Sequence, residues 1–207
     1  MARKKLSRIN AAKQLPNVYA QEDIAQAISL LNYKNVVLEL GCGDGWFAVE
    51  YAALHPEILV IGVDVKLDRL YKGASLALSK GLENCIFTRV PIENLQKFFP
   101  QAVCDKIFLT FPDPQPKKSN AKKRLTNIKL LKIYQKVSKP AACVYLKTDS
   151  DLLYEYTLEQ LQELGVRVKL DLQDIHSELT LGDDLLILTR FEEKFLDQNL
   201  KIKALGW

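Results

Sequence analysis

The run Glu39-Leu40-Gly41-Cys42-Gly43-Asp44-Gly45 sets an acid and three alternating glycines at the end of an apolar stretch, residues 36–40. Glycines in such a turn allow positive φ and let a ligand approach the backbone without meeting a Cβ. Asp64 closes a second apolar, β-branched run at 58–63. A carboxylate at the end of a parallel strand can accept both hydroxyl protons of a ribose, which suits an adenosine-bearing cofactor. Taken alone, Asp64 serves equally well as a helix N-cap. The dinucleotide fingerprint is G-x-G-x-x-G, whereas here the third glycine comes one residue early and Trp46 occupies the place reserved for glycine. An indole there obstructs a pyrophosphate resting on the helix N-terminus, which argues against a nicotinamide oxidoreductase.

These residues need strands to carry them and helices to cover the strands. Apolar runs at 36–40, 58–63, 85–87, 106–111 and 142–146 predict strands, and helical spacing predicts helices over 17–31, 67–78, 91–99, 127–137 and 152–164. Pro112, Pro114 and Pro116 forbid either helix or ladder directly after the fourth strand. Residues 117–124 form a basic turn or short helix. Two last strands, 166–170 and 185–188, are joined by the polar stretch 171–184 and predict an antiparallel hairpin at the sheet edge. The whole reads as an α/β, doubly wound, mostly parallel sheet. Residues 1–16 read as a flexible basic arm and 17–207 as one domain.

At 207 residues, with 48% hydrophobic and 26% charged content, the chain is long enough for one well-filled core. No apolar run approaches a membrane span, so a cytoplasmic protein with no membrane association is expected. Cys42, Cys85, Cys104 and Cys143 are too widely spaced for a zinc site, and no metal is expected. The net charge of +4 conceals a segregation. Ten basic residues, from Lys117 to Lys147, lie between Asp113 and Asp149 without one acid, and five more precede Glu22. That predicts a polyanionic partner on one face.

The glycine spacing resembles motif I of the class I S-adenosylmethionine-dependent methyltransferases. Four further segments sharpen this: Phe111-Pro112-Asp113-Pro114-Gln115-Pro116-Lys117-Lys118, Lys122-Lys123-Arg124-Leu125-Thr126, Leu146-Lys147-Thr148-Asp149 and Thr189-Arg190-Phe191-Glu192-Glu193-Lys194-Phe195. Together they resemble the bacterial tRNA (guanine-N7)-methyltransferases of the TrmB type, from about Leu38 to Trp207. The resemblance implies a Rossmann-like class I methyltransferase fold, S-adenosyl-L-methionine as cofactor and tRNA as partner; for the oligomeric state, monomer and homodimer both stay open. It implies cofactor contacts at Glu39, Gly41, Gly43, Gly45, Asp64 and Asp113. It also implies substrate contacts at Lys117, Asp149, Thr189 and Glu192, to which the basic cluster Lys122, Lys123 and Arg124 adds phosphate contacts. The chain departs from the family at Gln115, usually Trp, at Ser119-Asn120, usually Arg-His, and at Phe191, usually Tyr. Pro91 replaces the acid or amide that meets the adenine amine, which leaves the backbone of Ile92 to contact the ring.

Guanine N7 carries an unprotonated lone pair, so its attack on a sulfonium methyl needs alignment and no general base. A carboxylate can accept from the guanine N1–H and amino group and oppose the charge that N7 gains. Asp149 is the first candidate for that catalytic role and Asp113 the second. A binding module without turnover, favoured by Pro91 and Gln115, and a methyltransferase for a small acidic metabolite are the alternatives.

Overall fold

Apolar runs separated by amphipathic segments fold into one sheet flanked by helices in a computed structural model that describes residues 2–180 and 183–207 (side chains from Lys5 onward). In chain order the elements are α1 (Ala2–Ala12), β1 (Val18–Tyr19), α2 (Ile24–Leu31), β2 (Asn35–Leu40), α3 (Trp46–Leu54) and β3 (Ile58–Val63). They continue with α4 (Leu67–Ser79), β4 (Cys85–Thr88), α5 (Leu95–Phe98), β5 (Cys104–Thr110), α6 (Ile128–Val137) and β6 (Ser138–Thr148). The last are α7 (Asp151–Glu163), β7 (Leu170–Leu172), α8 (Ile175–Glu178), α9 (Arg190–Leu196) and β8 (Lys203–Gly206). The strand order is β1-β4-β3-β2-β5-β6-β8-β7. Pairs from β1 through β6 are parallel, and β8 runs antiparallel to both neighbours.

Buried on both faces, the central strands are almost continuously apolar. Val37, Val60, Phe87 and Phe108 pack toward α3 and α4. Leu38, Ile61, Ile86 and Ile107 pack toward α2, α5, α6 and α7. Strand order reverses between β2 and β5, so the chain leaves their carboxyl ends toward opposite faces and opens a crevice there.

Three sequence expectations are corrected. The segment 1–16, read as a flexible arm, is helical over Ala2–Ala12 and packs on α4; its small Ala12 is fully buried while Lys5 and Arg8 stay exposed. Met1 lies outside the described residues. The helix expected over 17–31 starts only at Ile24, because Val18 and Tyr19 pair with Phe87 and Thr88 as β1. Asn17 anchors that strand, its amide donating to the Ala74 carbonyl at 3.0 Å. The strand expected at 185–188 is instead a 3-10 turn, Asp184–Leu186, capped by the Asp183 carboxylate. Its Leu185 and Ile187 are still buried, but against the α3 side of the sheet. The antiparallel hairpin is real, with different strands: β7 begins at Leu170, and β8 inserts between β7 and β6. Of the polar stretch 171–184, residues 181 and 182 lie outside the described residues.

A buried ion pair fixes the excursion between β7 and β8. The Lys147 Nζ, at the end of β6, lies 2.6 Å from the Glu192 carboxylate on α9, with side-chain exposures of 1% and 0%. Lys147 also donates to the Ile187 carbonyl at 3.0 Å. Glu192 receives the Thr189 N–H at 3.2 Å and faces the His176 Nε2 at 2.8 Å. Thr189 in turn accepts the Glu192 N–H, completing a reciprocal capping box that starts α9. Burial lowers the Lys147 pKa, and Glu192 opposes that shift.

Lys147→Met should cost about 3–5 kcal/mol, because it strands a carboxylate in the interior. The double variant Lys147→Met/Glu192→Leu should recover most of that loss. Urea unfolding of both variants measures this. Equal losses in the single and double variants would show that the stranded Glu192 carboxylate costs nothing in the interior.

Candidate active site

The turn after β2 is laced to the neighbouring strand: the Gly41 and Cys42 N–H groups donate to the Val63 carbonyl at 2.8 and 3.1 Å. Glu39 lies beneath it. One oxygen accepts the Ala48 N–H in the first turn of α3 at 3.0 Å, and the other accepts the Thr110 hydroxyl at 2.5 Å. A carboxylate here also complements the helix dipole. Burial pushes Glu39 up to about 7; the bonds from Thr110 and Ala48 pull it down, and Asp64 adds to the rise. Glu39 thus joins the turn, α3 and β5.

Asp64 bridges in the same manner, accepting the Gly43 N–H at 2.9 Å and the Lys66 N–H at 2.8 Å on separate oxygens. Lys66, not Asp64, is the N-cap of α4. Each Asp64 oxygen keeps a second lone-pair direction, enough for two ribose hydroxyls.

Two of the glycines differ in purpose. A Cβ on Gly45 (φ +68°) would lie 2.5 Å from the Phe87 ring and 3.2 Å from the Gly73 Cα, so this glycine permits packing. A Cβ on Gly43 (φ +56°) would meet nothing nearer than the Arg69 guanidinium at 3.9 Å. Its backbone therefore stands open beside Asp64, a cradle that fits a ribose-bearing cofactor. Gly41 faces the Leu125 side chain, folded back from the basic segment. Pro91 is half-buried past the end of β4 and shares a groove of about 470 Å³ with Tyr19, Leu67 and Arg89. The Ile92 side chain is buried in the core, so a ligand could meet its backbone alone.

The proline-rich loop leaves β5 under strain. Phe111 and Gln115 both adopt positive φ, +47° and +46°, in the left-handed region where non-glycine residues are costly. Asp113 sits exposed between them, one oxygen accepting the Gln115 N–H at 2.9 Å. The loop is held by Arg124, which donates to the Pro114 and Gln115 carbonyls at 2.9 and 3.1 Å and stacks 4.4 Å from the Tyr156 ring centroid. Arg124 is 6% exposed, so the phosphate contact expected of it is corrected: its guanidinium is spent on the loop. Lys117, Lys122 and Lys123 are exposed on or beside the 3-10 turn Lys118–Lys123.

Asp149 lies two residues beyond Lys147, which pairs with Thr110 across β5 and β6, so Asp113 and Asp149 leave adjacent parallel strand ends. Ser150, not Asp149, caps α7, its hydroxyl accepting the Leu153 N–H. Among the described residues the half-buried Asp149 carboxylate has neither hydrogen bond nor ion pair. Thr189 and Glu192, expected at the substrate, are 5% and 0% exposed and use their polar atoms in the capping box and ion pair. Sequence reasoning gave no role to Lys147, although a lysine ending the run Val144-Tyr145-Leu146 on a buried strand is itself a signal. Among the described residues no metal-binding cluster forms.

Residues 33–205 match a family described as "Putative methyltransferase". The tRNA (guanine-N(7)-)-methyltransferase of Cytophaga hutchinsonii is 35% identical over 215 residues, covering 99% of this chain and 97% of the relative. Its counterpart from Bacteroides fragilis is 39% identical, covering 83% and 68%, and that from Metamycoplasma hominis 34%, covering 85% and 86%. Among solved structures, the 16S rRNA methyltransferase KamB superposes with a TM-score of 0.65 at 18% identity, covering 89% of this chain and 91% of that one. The 16S rRNA (adenine(1408)-N(1))-methyltransferase of Catenulisporales acidiphilia gives 0.61 at 20% identity, covering 90% and 88%. These last two likenesses speak for the fold, a class I methyltransferase sheet. The chain belongs to the tRNA (guanine-N(7)-)-methyltransferase family.

Proposed function

We propose that this protein transfers a methyl group from S-adenosyl-L-methionine to N7 of a guanosine in tRNA, in the cytoplasm. The observation that carries this reading is the Asp149 carboxylate, unspent among the described residues, just past the end of β6, next in the sheet to the strand that Asp113 follows and two strands from the one that ends in the glycine turn. Bound at Gly43 and Asp64, S-adenosyl-L-methionine supplies an activated methyl on a cationic sulfonium. Asp64 accepts the ribose hydroxyls, and the open Gly43 backbone admits the nucleoside. Asp149 accepts from the guanine N1–H and amino group, fixes the ring plane and opposes the positive charge that N7 acquires. No residue needs to remove a proton before attack, so alignment supplies most of the acceleration. The exposed Lys117, Lys122 and Lys123 contact RNA phosphates, and the exposed Asp113 on the strained loop is the further carboxylate for the cofactor.

Ionised Glu39 favours a cationic ligand, and its pKa of about 7 places the change near neutrality. S-adenosylmethionine affinity should therefore rise between pH 6 and 8, by about tenfold for each unit by which binding lowers that pKa. S-adenosylhomocysteine, lacking the sulfonium charge, should show a smaller rise, and Glu39→Gln should flatten both. Calorimetry at three pH values checks this; identical profiles for the two ligands would remove Glu39 from the electrostatics of the site.

Asp149→Asn should preserve fold and cofactor affinity, since Ser150 does the capping, while the chemical step slows roughly a hundredfold or more. Single-turnover methylation of tRNA with saturating enzyme isolates that step. A near-native rate would shift the role to Asp113. Transfer of label from S-adenosylmethionine to bulk tRNA, with nucleoside analysis for 7-methylguanosine, tests the function itself.

A further inference from the structure

Arg190 opens α9, and its guanidinium carbon lies 4.5 Å from the centroid of the Trp46 indole. Trp46 opens α3 directly after Gly45, so this contact joins the helix leaving the glycine turn to the helix held by Lys147 and Glu192. Other cations of the chain are spent on partners of their own. Lys72 pairs with Asp44 at 2.6 Å, Arg89 donates to the Val65 carbonyl at 3.0 Å, and Arg124 holds the proline loop. Arg190 is exposed, and no hydrogen bond or ion pair engages it among the described residues.

The guanidinium carbon lies over the indole, and its N–H groups are left unspent among the described residues. The backbone beneath it is immobilised by the capping box, and Glu192 is anchored by two further side chains. A planar fork held on both counts is prepared for a bidentate oxyanion, with little ordering left to be done on binding.

We propose that Arg190 is an oxyanion-recognising residue at the seam between the cofactor cradle and the substrate-side helix. The ligand chemistry is a carboxylate or a phosphate. Its two sources are the amino-acid carboxylate of the cofactor and the sugar–phosphate backbone of the RNA, so the proposal rests on the methyltransferase reading given above.

Arg190→Met keeps apolar contact with the indole and removes the fork; Arg190→Lys keeps charge without the fork. Three ligands are measured against the native protein and both variants: S-adenosylhomocysteine, methylthioadenosine (which lacks the amino-acid carboxylate) and tRNA over a range of salt. If the cofactor carboxylate is the ligand, Arg190→Met weakens S-adenosylhomocysteine by about tenfold or more. Methylthioadenosine and tRNA are then unchanged, and Arg190→Lys restores binding in part. If the ligand is a phosphate of RNA, S-adenosylhomocysteine is unchanged and tRNA weakens. The slope of log K against log salt then shrinks by about 0.7–0.9. Unchanged affinity for all three in folded Arg190→Met overturns the proposal. Should the native protein bind neither cofactor nor tRNA, the functional reading has failed. Arg190 is then judged with inorganic phosphate: a change in indole emission that Arg190→Met abolishes sustains it, and no change ends it.

Discussion

The ion pair between Lys147 and Glu192 is the constraint on which the substrate side of the molecule depends. Removing both groups from water costs several kcal/mol per ion, and Coulomb attraction offsets this only when the remaining polar capacity is also satisfied. Here it is: the ammonium reaches the Ile187 carbonyl, and the carboxylate reaches His176 and the Thr189 N–H. A sliding of α9 by one residue would separate these partners and leave a bare charge in the interior. The pair therefore selects one placement of α9, and with it one relation between β6 and the helix beside the glycine turn. Phe111 belongs to the same assembly, since its N–H donates to the Lys147 carbonyl at 2.8 Å and its ring packs 5.4 Å from Phe195.

The cofactor side is held by contrary means. There the fixing agents are backbone donors and missing side chains. Phe87 is seated among Gly45, Gly62 and Gly73, each of which would drive a Cβ to within 3 Å of its ring. α3, β3 and α4 consequently approach more closely than ordinary residues permit. Glu39 and Asp64 then tie the turn from two directions. One half of the crevice is set by charge and the other by the absence of volume.

The strands that flank the crevice were legible because both their faces are buried, which makes 36–40, 58–63 and 106–111 read as apolar runs ending in turn residues. Asp64, Asp113 and Asp149 are legible as acids just past the ends of the runs 58–63, 106–111 and 142–146. Lys147 and Arg124 were read with the surface charges, since sequence does not show that a carboxylate from a distant helix meets one and two carbonyls and a tyrosine the other. Thr189-Arg190-Phe191-Glu192 carries the capping-box pattern, a signal that the sequence holds beside the family resemblance of the same residues. β8 was missed because Lys203-Ala204-Leu205-Gly206 is too short to announce itself; its pairing with β6 and β7 is a property of the whole sheet.

The place of β8 in the strand order has a consequence for the growing chain. β7 is made some thirty residues before β8, yet β8 is the neighbour through which it joins the sheet, lying between it and β6. Until residues 203–206 are made, the chain contains no partner for that edge of β6, and unpaired edges are the kind that recruit strands from other chains. Vectorial synthesis thus delivers the cofactor half of the crevice first. The substrate half has its full set of strands only once residues 203–206 have been made and can close that edge.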